Sequence, residues 1–173
     1  MARDAERRAP PNWRSADEKG TRLGRRDSLA PAARTVQERK SRVSGITLDA
    51  GGLIAIDRND RRILTLLARA KERGMRITIP ATALAQAMRN PARQVRLSRL
   101  IRQAGTDLIT LDGPDATAVG LVLARTGTAD IVDAHIAVCA QRAGQAVAAS
   151  DPADLRRIAP GLTLIIVCVL PGT

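Results

Sequence analysis

The residues best suited to chemistry in this chain are its aspartates. Eleven acids follow residue 44, and Glu72 is the only glutamate among them. Asp49 closes the stretch Ile46-Thr47-Leu48, and Asp151 follows Ala146–Ala149 and Ser150. Asp130 and Asp133 are three residues apart, about 60° around a helix axis and so on one face. Asp151 and Asp154 repeat that spacing. Carboxylates brought together repel: two unit charges about 4 Å apart cost roughly 4 kcal/mol at an effective dielectric of about 20. Gathering three or four makes sense when a divalent cation neutralises them. A site of carboxylate oxygens without Cys or His selects Mg²⁺ or Mn²⁺ over zinc, and such an ion activates water and stabilises a phosphoryl transition state. The competing explanation is helix capping. Asp130, Asp133 and Asp151 fall in first turns and Asp49 also precedes a helix, where an acid meets free N–H groups and the positive end of the dipole. Capping accounts for each aspartate taken singly; a metal centre accounts for the set.

The other polar candidates read differently. His135 projects about 160° away from Asp133, two residues before it, which makes it a surface or packing residue rather than a ligand. Arg89, Arg93, Arg96, Arg99 and Arg102 form a series; from Arg93 on, on a helix from about Ala92 to Ala104, their spacing of three covers about half its circumference. That is either a solvated face or, at Arg89, Arg93 and Arg96, a rim guiding the phosphates of RNA.

The elements that must position these residues alternate. Strands are expected at Ile46–Asp49, Arg76–Ile79, Leu108–Leu111, Ala146–Ala149 and Leu162–Val169, each short and apolar. Helices are expected at Ala50–Asp57, from an Asn59 cap to about Arg73, at Ala81–Met88 after Pro80, from about Ala92 to Ala104, from Asp115 to Arg125, from Thr128 to near Gly144, and at Asp151–Ile158. Short buried strands alternating with helices imply an α/β fold, with a central, mostly parallel sheet and helices on both faces. Ligands of such sheets bind outside the carboxyl ends of the strands, which is where Asp49 and Asp151 fall.

Composition narrows the partners. The 173 residues are 45% hydrophobic, with Trp13 the single aromatic residue. That excludes base-stacking platforms such as an RRM, which need exposed rings. The net charge is +11. Residues 1–44 carry 12 basic and 6 acidic side chains. They are rich in Arg, Pro, Ala and Ser without a sustained apolar period, and are expected to be a disordered basic extension, with Val43 as an alternative initiation point. Residues 45–173 form the folded domain and are moderately basic, which suits a polyanion. Cys139 and Cys168 sit in apolar runs and read as buried thiols in a reducing cytoplasm. The longest apolar run, Leu164–Leu170, is far too short for a membrane helix.

Three blocks together resemble the PIN-domain family, in particular the VapC-like toxins: Ile46-Thr47-Leu48-Asp49-Ala50-Gly51-Gly52-Leu53-Ile54-Ala55, Asp130-Ile131-Val132-Asp133-Ala134-His135-Ile136-Ala137, and Ala148-Ala149-Ser150-Asp151-Pro152-Ala153-Asp154-Leu155. Their order and spacing cover nearly all of residues 45–173. The resemblance implies a PIN-like three-layer fold and a Mg²⁺- or Mn²⁺-dependent endoribonuclease. It also implies a type II toxin–antitoxin role, with an RNA substrate, a small antitoxin partner and a homodimer. By position, Asp49, Asp133 and Asp151 would be the metal ligands, Asp130 and Asp154 outer acids, and Ser150 a polar neighbour. The family pattern carries a Glu on the helix after the second strand; here Gln86 stands in its place, one negative charge fewer. Two other readings stay open: a non-catalytic PIN-like module binding RNA or protein, and a phosphoaspartate phosphatase or receiver. The last wants a lysine near the phosphate and, for the phosphatases, a second Asp where Gly51 stands. The one lysine after residue 44 is Lys71, in a charged helical run.

Overall fold

The computed structural model describes residues 43–90 and 92–167. The expected basic extension (but for Val43 and Ser44), Trp13, Cys168 and the last residues of the final strand lie outside them. Five strands, β1 (Gly45–Leu48), β2 (Arg76–Pro80), β3 (Thr106–Ile109), β4 (Ala146–Ala149) and β5 (Leu164–Ile166), pair in parallel throughout, in the order β3-β2-β1-β4-β5. Among the described residues the helices are α1 (Ala50–Asp57), α2 (Arg61–Glu72), α3 (Ala81–Ala87), α4 (Val95–Ile101), α5 (Gly113–Thr126), α6 (Ile131–Ala143) and α7 (Pro152–Ile158). None is long and apolar enough to cross a membrane.

The central strands β1 and β4 are buried along their whole length, as uncharged runs covered on both faces must be. The chain steps from β1 outward through β2 to β3, then crosses back to β4 and β5 on the other side. With right-handed crossovers, reversing direction moves the connecting helices to the opposite face. Val119 and Val122 of α5 accordingly form a second small core with Ala134 and Ala137 of α6 and Ile158 of α7, while Leu53, Ile63 and Leu97 join the main core with the sheet. The reversal also makes β1 and β4 the topological switch point, the place where such sheets open a crevice. α3 leaves the end of β2 and touches both α1 and α6.

The expected α/β architecture is the one found, with three local differences. Asp60, not Asn59, caps α2, its carboxylate accepting the Arg62 N–H at 2.7 Å. Asn59 instead takes the left-handed turn before it, φ 62°, a conformation Asn tolerates better than most residues. The arginine helix is half as long as expected: it begins at Val95, and the preceding Gln94 ties down the backbone of Arg89 and Asn90. Its buried side-chain oxygen accepts the N–H groups of Arg89 (2.8 Å) and Asn90 (2.9 Å), and its nitrogen donates to the Ala87 carbonyl at 3.1 Å. Strand β3 begins earlier than expected because its register follows β2, Ile77 pairing with Thr106, and Arg76 fixes that edge through an ion pair with Asp107.

One close approach sets the switch point. A Cβ on Gly51 would land on the Cβ and Oγ of Ser150, whereas one on Gly120, mid-helix in α5, would meet open space. Gly51→Ala should therefore destabilise the domain by about 1–3 kcal/mol, and Gly120→Ala should stabilise it by about 0.5–1 kcal/mol. Urea denaturation of the two variants checks both signs; equal gains would show that α1 does not seat against Ser150.

Candidate metal centre

At the switch point, Asp49 leaves β1 buried and caps α1. One carboxylate oxygen accepts the Gly52 N–H. The other accepts the Ser150 N–H at 2.9 Å and the Ser150 hydroxyl at 3.4 Å. Burial pushes the Asp49 carboxyl above its ordinary range against the pull of these hydrogen bonds, with the Asp151 charge adding to the rise.

Asp130 is exposed and caps α6, accepting the Asp133 N–H at 3.0 Å. Asp151, also exposed, caps α7 by accepting the Ala153 N–H at 3.1 Å. Each cap uses one oxygen and leaves the second free, so capping and metal binding are compatible. Asp133 caps nothing. Half-buried in the first turn of α6, its carboxylate has no hydrogen-bond donor among the described residues. Burial, then the charges of Asp130, Asp154, Asp49 and Asp151, push it up to about 6. One carboxyl thus feels all four of the other acids singled out from the sequence. Asp154 is exposed and pairs with Arg157 at 3.3 Å.

Gln86 is exposed on α3 and lines a groove of about 620 Å³ with Gly51, Arg89, Arg93 and Ser150. Arg89 and Arg93 share this groove with Gln86 and Ser150, none of the five aspartates lines it, and Arg96 lies outside it. It lines a second groove, near the amino ends of β2 and β3, and donates to the Asp57 carbonyl at 3.3 Å. The shortened helix has separated it from the other two. Lys71, the one lysine among the described residues, lines that second groove as well, at the end of the sheet away from Asp49, where it cannot serve a phosphoaspartate there.

Among the described residues, no three of these aspartates present carboxylate oxygens all within 4.8 Å of one another. The donor set is all oxygen, Asp133 is unengaged, and Asp49 is fixed, which fits Mg²⁺ or Mn²⁺.

A second polar set was not assembled from the sequence. Asp115 of α5 and His135 and Cys139 of α6, all buried, offer ligand atoms within 4.8 Å of one another and could hold a metal ion. His135 Nδ1 lies 2.9 Å from Thr82 Oγ1 of α3, and Nε2 lies 3.7 Å from Asp115 Oδ2 without a hydrogen-bond partner. The Arg142 guanidinium grips Asp115 and holds its carboxyl below the usual range. Burial lowers His135 and pushes the Cys139 thiol up to about 11. The available signal was the four-residue spacing of His135 and Cys139, which puts both on one helix face; nothing in the sequence pointed to Asp115.

The sequence matches no family model and no curated protein. Solved structures share the fold. VapBC2 from Rickettsia felis, bound to a DNA fragment from its promoter, is similar at 17% identity with a TM-score of 0.55, over 70% of this chain and 98% of that one. FitAB bound to an IR36 DNA fragment is similar at 15% identity with a TM-score of 0.50, over 70% and 94%. FitAcB from Neisseria gonorrhoeae gives 16% identity and a TM-score of 0.48 over 69% and 95%. The fold expected from the resemblance to PIN domains is the fold found.

The Asp133 carboxyl titrates near 6 in the folded chain, against an ordinary value of 3.8. Because the folded value is the higher one, its contribution to stability is full below about pH 4 and is lost as pH rises through 6. Discounted for its partial exposure, the loss is about 1–2 kcal/mol. At about pH 7.5 and without divalent metal, Asp133→Asn should therefore raise Tm, by roughly 2–6 °C, and remove most of the decline between pH 4 and 6. Mg²⁺ should stabilise the wild type more at pH 7.5 than at pH 5 and barely affect the Asn variant. Thermal melts across pH check this; a metal-free Asn variant less stable than wild type at pH 7.5 would refute it.

Proposed function

We propose that this chain is a divalent-metal-dependent endoribonuclease that cleaves RNA phosphodiester bonds, and that it is the toxin partner of a small antitoxin protein. The observation that carries the reading is the environment of Asp133: one unengaged carboxyl raised by burial and by four neighbouring acids at the switch point of a parallel sheet. Asp49, Asp133 and Asp151 would hold Mg²⁺ or Mn²⁺, with Asp130 and Asp154 as outer acids. When bound, the ion supplies the charge that offsets these acids and stabilises negative charge developing on phosphate oxygens.

The chain's own residues supply orientation and access. The backbone N–H groups of Gly52 and Ser150 aim Asp49, and the Ser150 side chain stands between Asp49 and the Gln86 groove. Arg89 and Arg93 line that groove, where they would take the RNA backbone. With almost no aromatic residues to stack on bases, binding would run through phosphates and weaken steeply with salt. The antitoxin partner is proposed because the fold is shared with VapBC2 and FitAB, both solved bound to DNA. Homodimer formation and a cytoplasmic location belong to the same proposal.

Gln86 bears on how the charge is balanced. Asp130 is the acid whose charge acts most strongly on Asp133, so it takes over the role of the missing carboxylate. The test is cleavage of a fluorescent RNA. EDTA should abolish it and Mg²⁺ or Mn²⁺ restore it, and Asp133→Asn should lower it about 100-fold or more in a folded protein. Asp130→Asn should also lower it, while Gln86→Glu should leave it flat or reduced by added repulsion. EDTA-resistant cleavage, or full activity in Asp133→Asn, would overturn the proposal. Metal-independent RNA binding without cleavage would favour the binding module, with Gln86 as the lost acid.

A further inference from the structure

We propose that Asp115, His135 and Cys139 bind a zinc ion, and that this second metal site is structural, clamping α5 to α6 on the face of α6 turned away from Asp133.

The donors come from two helices. His135 and Cys139 lie four residues apart on α6, and Asp115 lies in the first turn of α5. All three are buried, and their ligand atoms lie within 4.8 Å of one another. An imidazole nitrogen, a sulfur and a carboxylate make a borderline-soft set, which selects zinc over the hard cations suited to the aspartates.

A second observation points into the same space. His135 is fully buried and its Nε2 has no partner, although a buried ring nitrogen left unpaired is costly. Its other nitrogen is occupied by the Thr82 hydroxyl at 2.9 Å, the arrangement that orients a ligating histidine. Whichever tautomer the Thr82 contact selects, Nε2 faces Asp115 Oδ2 from 3.7 Å, beyond hydrogen-bond distance. In the tautomer that donates Nδ1–H to Thr82, the Nε2 lone pair faces the carboxylate, and a cation between them turns that repulsion into ligation. Two ligand bonds of about 2.0–2.1 Å at a tetrahedral angle span roughly 3.4 Å, so the pair is close to bridging distance already.

The Asp115–Arg142 pair explains neither the free Nε2 nor the thiol. It does keep Asp115 ionised; Oδ1 accepts from Arg142 Nη1, and Oδ2 accepts from Nη2 at 3.1 Å, a bond that a metal on Oδ2 would share or displace. Cys139 binds as thiolate: the S–H bond breaks, sulfur donates its electron pair to Zn²⁺, and one proton leaves to solvent.

The test uses the full chain and Co²⁺ as a spectroscopic probe, in excess Mg²⁺ to occupy the aspartates. One equivalent of Co²⁺ should produce a thiolate-to-cobalt charge-transfer band, and Zn²⁺ should displace it and raise Tm. Cys139→Ser and His135→Gln should lose the band and the Tm gain, with folding checked by circular dichroism. Cys168→Ser, Asp133→Asn and Asp151→Asn should keep both. No such band in the folded wild type overturns the proposal whatever the variants do. So does a band that survives Cys139→Ser and disappears in Cys168→Ser.

Discussion

The grip on the Asp49 carboxylate is the interaction on which the rest of this structure depends. One oxygen is held by an N–H of α1 and the other by an N–H at the end of β4. The same side chain therefore starts a helix and ties together the two strands that flank the switch point. This is possible only because the chain comes very close there. Gly51 carries no Cβ where Ser150 stands, and a Cβ on Gly52 would crowd the carboxylate and the Ala148 carbonyl, at 3.0 Å and 3.1 Å. The hydrogen bonds favour the charged carboxylate and burial disfavours it; burial wins. A buried acid raised in this way is stabilised by any cation that arrives.

The same logic explains why the acids are tolerated without one. α1, α6 and α7 each begin at an aspartate of the centre, so three helix N-termini bring their unpaired N–H groups to one place. Each carries roughly half a positive charge. Those partial charges offset the caps themselves. Asp133 lies in the first turn of α6 but caps nothing, and burial with the four neighbouring charges outweighs the pull of the helix N-terminus and pushes it up to about 6.

The alternating pattern of short apolar runs and helices was legible because tertiary packing agreed with local preference. Ala50–Asp57 and Ala146–Ala149 fall where the sequence places them. The aspartates were legible because strand ends and helix starts are punctuated in sequence. What was not legible depends on contacts far along the chain. The arginine helix begins only after the buried Gln94 and its four partners, and no periodicity encodes that. His135 read as a surface or packing residue, and its burial is set by Thr82 and Asp115, 53 and 20 residues away. Both cases are polar groups buried inside the fold, where pattern-based reasoning has least to hold on to.

Helix α6 joins the two halves of this argument. Asp133 looks toward the switch point, and His135 and Cys139 look the other way. Between them, Ala134, Ile136, Ala137 and Ala140 are almost completely buried, and the three small alanines let the helix sit close to the sheet and to α5. Asp49 is aimed by hydrogen bonds to its own oxygens, but Asp133 has none. Its position is set by how tightly its helix is packed, since a close-packed interior resists rotation of one element against the next. The Thr82–His135 bond adds a directional constraint. It links α6 to α3, the helix that carries Gln86. The buried polar face of α6 thus fixes the helix that presents Asp133, and it does so without touching the acid.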